Sequence, residues 1–120
     1  MPIRSKRLYL SLLLAVAGSA QATEDCATVV QCNQRGTAAY QAGQYAPAIE
    51  AFERQLRRVE QGDSAQLELA LNNLILANLR AGDAGMARAW LGVALDRQLN
   101  GASTRLHLGK VAEALDYQAL

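Results

Sequence analysis

Breaks at Gly43, Gly62-Asp63, Gly82-Asp83 and Asn100-Gly101 divide the chain beyond residue 28 into five stretches, and this punctuation constrains the fold more than any other feature. No stretch alternates apolar and polar residues for long enough to make a strand. The expectation is five helices, over 28–42, 45–61, 64–81, 84–99 and from 103 to the C-terminus. Gly43 suits a helix C-terminus. Pro47 falls in a first turn, where a missing N–H costs little. Asp63 or Ser64 can cap the third helix and Ser103 the fifth. A content of 5% aromatic residues and two prolines agrees with an all-α chain rather than a sheet.

Packing follows from where the small and large apolar residues fall. Gly36, Ala48, Ala87 and Ala94 let helices approach closely, and Phe52 and Leu91 fill the space between one helix pair and the next. A single pair cannot bury its apolar face, so neighbouring pairs must stack. The third helix is apolar nearly all round, with Leu67, Leu69, Leu71, Leu74, Ile75, Leu76 and Leu79, as suits a central helix. The fifth carries Leu108, Val111, Ala112 and Leu115 at i, i+3, i+4 and i+7. Arg105, Lys110, Glu113 and Asp116 form its other face, the pattern of a terminal cap.

The segment 40–52 closely resembles the centre of a tetratricopeptide repeat, where a glycine and an aromatic mark the turn between two antiparallel helices. Gly43, Tyr45, Ala48 and Phe52 stand on those positions, and Gly36 on the small position of the first helix. A second unit 39 residues on has Leu74, Gly82, Ala87, Leu91 and Ala94, and Leu108-Gly109 follows Leu74-Ile75 by 34 residues. The resemblance implies an all-α solenoid of two helix pairs plus a capping helix. Repeat one would cover about 29–62, repeat two about 63–101 and the cap about 102–120. Arg35, Gln55 and Asn78 depart from the family's usual leucine, alanine and aromatic, and neither unit ends in proline.

Upstream, Arg4, Lys6 and Arg7 precede an apolar run from Leu8 to Ala17, followed by Ala20-Gln21-Ala22. These parts in this order read as a secretory signal peptide over 1–22, cleaved after Ala22 or Ala20, with 23–28 as a short leader. The apolar run is too short to span a bilayer, which takes about 20 residues, and the alternative to a signal peptide is an uncleaved N-terminal anchor. The expected location is the periplasm or outside the cell, with no membrane span after cleavage. Losing three of twelve basic residues leaves nine against eleven acidic ones, a net charge of −2. That balance offers no basic stripe for nucleic acid and no surface for an anionic membrane.

Little in the sequence points to chemistry. His107 is the single histidine and is expected at the surface of the capping helix, without the partner that acid–base or metal work needs. No catalytic or phosphate-binding motif occurs, so no enzyme activity, cofactor or metal is expected. Cys26 and Cys32 are the only thiols, and an exported chain favours their pairing. Six residues of continuous helix would separate them by about 9 Å of rise. A disulfide therefore requires Cys26 to fold back ahead of the helix. The other readings are Cys32 as a buried apolar residue and, last, a redox-active pair.

What remains is a groove. In tetratricopeptide proteins the first helix of each pair lines the concave side. By matched position that lining is Asn33, Thr37, Tyr40 and Gln41, then Leu69, Asn72, Asn73, Leu76, Leu79 and Arg80, then Leu106, Lys110 and Glu113. Exposed leucines and a tyrosine together would form an interaction patch. Asn72 and Asn73 could bond a peptide backbone, and Arg80 and Lys110 a carboxylate. Some relatives clamp a peptide carboxylate with two lysines, an arginine and two asparagines. Here Asn73 matches one asparagine, but Asn33 and Thr37 replace a lysine and an asparagine, so that set is absent. The expected function is binding of a protein or peptide, with self-association in an envelope assembly as the alternative.

Overall fold

The computed structural model describes residues 26–119, and the expected signal peptide lies outside them. Those residues form five helices and no strand: α1 (Val29–Gln41), α2 (Tyr45–Arg58), α3 (Ser64–Arg80), α4 (Ala84–Asp96) and α5 (Ala102–Ala119). None is long and apolar enough to cross a membrane. Each helix packs on the next, and α5 also packs on α3. Helix α3 is thereby central, with Ala70, Leu71, Leu74, Ile75 and Ala77 all fully buried.

Local chemistry sets the helix ends. Thr28 accepts the Gln31 amide at 3.1 Å while Gln31 Oε1 accepts the Ala27 amide at 2.9 Å, a reciprocal cap on α1. Asp63 and Asp83 cap α3 and α4 by accepting the Gln66 and Met86 amides. The α1–α2 and α3–α4 turns are built alike. At the first, Gly43 N bonds Tyr40 O and Gln44 N bonds Ala39 O; at the second, Gly82 N bonds Leu79 O and Asp83 N bonds Asn78 O. Both glycines are left-handed, at φ 74° and 82°.

Helix α4 ends at Asp96 rather than 99 by the same device. Gln98 N bonds Leu95 O and Leu99 N bonds Ala94 O, which turns Leu99 into the core. Here the left-handed residue is Gln98, at φ 60°, so no glycine marks the stop. A side chain in that region costs about 1 kcal/mol. Gln98→Gly is therefore expected to stabilise the fold by about 0.5 kcal/mol, net of the extra freedom glycine has when unfolded. A thermal melt rising by a few degrees would show it. Helix α2 also stops early, at Arg58, because Val59 turns to an extended backbone.

The interior comprises three apolar clusters. Ala48 and Phe52 of α2 meet Leu74 and Ala77 of α3. Ile75 of α3 meets Ala87 and Leu91 of α4 and Val111 of α5. Leu71, Ala94 and Leu99 form the third, and Trp90 packs against all of them. Gly36, buried on α1, lies so close to the Phe52 ring that a Cβ there would overlap it. Of the small residues the sequence singles out, Gly36 is thus a point of close approach, and Ala48, Ala87 and Ala94 are fully buried.

Candidate functional site

Polar side-chain bonds link α3 to α1 and α2 on one side and to α5 on the other. Asn73 of α3 donates to Asn33 of α1 at 2.9 Å and to Gln55 of α2 at 3.0 Å. Gln55 is fully buried, and its Nε2 finds no acceptor among the described residues. Between α3 and α5, Asn72 Nδ2 donates to Thr104 Oγ1 at 2.9 Å, and Asn72 Oδ1 lies 2.6 Å from His107 Nδ1. Thr104 in turn donates to the Glu68 carboxylate, which also accepts the Gly101 amide at 2.7 Å.

This second network corrects three expectations. Asn72 does not line an open surface: it is 6% exposed, and both ends of its amide are engaged. His107 is not a surface residue but 7% exposed. Ser103 does not cap α5, which starts before it; the carboxylate of Glu68 on α3 serves the helix start instead, taking the Gly101 N–H. These bonds set the roll of α5. They turn Thr104, His107 and Val111 inward, leaving Leu108 47% exposed and Ala112 exposed, where the apolar stripe predicts both to be covered.

Since Asn72 Oδ1 only accepts, the His107 ring must carry a proton on Nδ1, which makes this tautomer the one held when the ring is neutral. Burial, and secondarily the positive charge of Lys110, hold its pKa below the ordinary value of 6.5. The unfolded chain therefore binds this proton more readily. The stability contributed by neutral His107 is full above pH 6.5 and is lost as pH falls from there through the folded-state pKa. Urea midpoints at pH 7.5 and 5.5 should fall for the native chain, and His107→Gln should lose that part of the difference.

The remaining groove candidates divide into two groups. Leu76, Leu79, Arg80 and Lys110 come together with Glu113 and Ala114 around a crevice of about 370 Å3 between α3 and α5. Its floor is apolar: Leu76 is half-buried, and half-buried Leu79 packs on the Ile75–Val111 cluster. Arg80 and Lys110 are exposed at its edge, and neither has a carboxylate within ion-pair distance among the described residues. The other candidates lie outside the crevice lining. Asn33 and Asn73 are half-buried and bonded to each other. Tyr40 is half-buried, edge-on to Tyr45 with ring centres 5.6 Å apart. Thr37, Gln41, Leu69 and Leu106 are exposed, the two leucines at 41% and 58%.

At the N-terminal edge Cys26 and Cys32 form a disulfide with Cα atoms 4.9 Å apart. Cys26 precedes the Thr28 cap, as the spacing argument requires, and both residues are at most 2% exposed. The bond pins the lead-in to α1 and offers no sulfur to an external thiol. No family model matches this chain, and neither a curated protein nor a solved structure is significantly similar to it.

Proposed function

We propose that this chain is an exported, non-enzymatic binding module of tetratricopeptide type. In this reading α1–α2 and α3–α4 are its two helix pairs and α5 its cap. The α1–α3–α5 surface holds the end of a polypeptide. The observation that carries the reading is the crevice itself: an apolar floor of Leu76, Leu79 and Ala114, edged by two cations, Arg80 and Lys110, against one carboxylate, Glu113. Such a site suits an apolar C-terminal side chain below and its carboxylate above. Upstream, the exposed Thr37 and Gln41 would contact the peptide backbone. The repeat reading is supported by the two left-handed glycine turns, whose hydrogen bonds recur 39 residues apart. The export reading is supported by the disulfide, which persists in oxidising compartments.

Immobilised peptides ending in leucine, presented as free acids and as amides, test the binding mode. The acid is expected to retain the protein and the amide to retain it weakly. Lys110→Glu should abolish the difference between them. Equal retention of acid and amide, or none of either, would remove the carboxylate from the reading.

A further inference from the structure

A second groove, of about 270 Å3, runs between α4 and α5. Leu91 and Val111 form its floor, resting on Ile75. Leu95 and Leu108 wall it, 46% and 47% exposed, and Gly92 and Ala112 widen it. This is the apolar stripe of α5 that the Glu68–Asn72–Thr104–His107 bonds turn away from the core. We propose that a second copy of this chain closes it. The two α5 helices would pair antiparallel about a two-fold axis, each sending its Leu108 into the other copy's groove.

Charge and shape along α5 argue for a second copy over an unrelated partner. Arg105, Leu108, Gly109, Ala112 and Asp116 stand at i, i+3, i+4, i+7 and i+11, one exposed stripe along the helix. In an antiparallel pair, the axis that sets Gly109 against the second copy's Ala112 also sets Arg105 against its Asp116. Symmetry repeats the ion pair at the other end. In the monomer Asp116 has no cation within ion-pair distance among the described residues. Arg105 reaches only the Asn100 carbonyl, at 2.7 Å. Nothing lies within 4 Å of where a Cβ would stand on Gly92 or Gly109, so the backbones have room to approach. Leu108 then falls level with residue 113 of the second copy, beside its Ala112. Lys110 lies about 200° around α5 from both Leu108 and Ala112. The pairing therefore leaves the Arg80–Lys110 crevice open and stands independently of the peptide-binding reading.

Sedimentation equilibrium of the full chain as recovered from cells tests the pairing. The native protein is expected to be a dimer at micromolar concentration, and Leu108→Glu a monomer whose melt matches the native one measured at low concentration. Asp116→Arg sets like charges together and should weaken the dimer by about tenfold or more. Adding Arg105→Asp in the same chain reverses both ends and should restore it, with circular dichroism confirming the fold after loss of the Asn100 bond. A native monomer up to about 100 μM, whether the groove is empty or filled by the chain's own leader, overturns the proposal. So does a dimer indifferent to Leu108→Glu, or one that the double reversal fails to restore.

Discussion

Leu74→Ala is expected to destabilise the fold by about 3 kcal/mol, within the roughly 2–5 kcal/mol range of buried leucine truncations. Leu74 is fully buried where α2 meets α3, against Ala48, Phe52 and Ala77. The cavity left behind has no easy way to collapse, because Phe52 is already pressed on Gly36 from the other side. For a domain of this size that loss lowers the melting temperature by roughly 12–24 °C. Thermal melts followed by circular dichroism measure it. A drop of only a few degrees would mean that Leu74 is not at the centre of the core.

Leu76→Asp is expected to do the reverse: peptide retention should fall about 100-fold or more while the melt stays near the native one. The two residues are neighbours in sequence, yet helical geometry sets them about 200° apart. Leu76 is half-buried and lines the α3–α5 crevice. An aspartate there keeps its charge in water, but it removes the apolar floor and neutralises the cationic rim formed by Arg80 and Lys110. The pair of variants separates a residue that holds the fold from one proposed to hold a ligand. A large fall in the melting temperature of Leu76→Asp would show that this face of α3 serves the core instead.

The helices were legible because their stops are chemical. Gly43 and Gly82 are the left-handed residues that end α1 and α3, and Asp63 and Asp83 are the caps that begin α3 and α4. The end of α4 was not legible, because a glutamine occupies the left-handed position there. The disulfide was expected from the paired thiols of an exported chain, and spacing added only the condition that Cys26 lie in a lead-in outside the helix, where it is found.

The roll of α5 was missed for a physical reason. Apolar periodicity assigns Leu108 and Ala112 to the core, whereas the polar residues Thr104 and His107 take it. Their bonds to Glu68 and Asn72 are long-range, and sequence periodicity carries no information about them. One signal was available: Thr104, His107 and Val111 also fall at i, i+3 and i+7, and Glu68 and Asn72 are a turn apart on α3. The same network withdraws Asn72 from the expected groove and concentrates the site on Leu76, Leu79, Arg80 and Lys110.

Titrating the 15N-labelled protein with a free-acid peptide ending in leucine, and following the backbone amides by NMR, tests the binding site most directly. The largest shifts are expected at Leu76, Leu79 and Arg80 on α3 and at Lys110 and Glu113 on α5, with little change at Leu95 and Leu108. Shifts centred on the α4–α5 groove, or none at saturating peptide, would contradict the account.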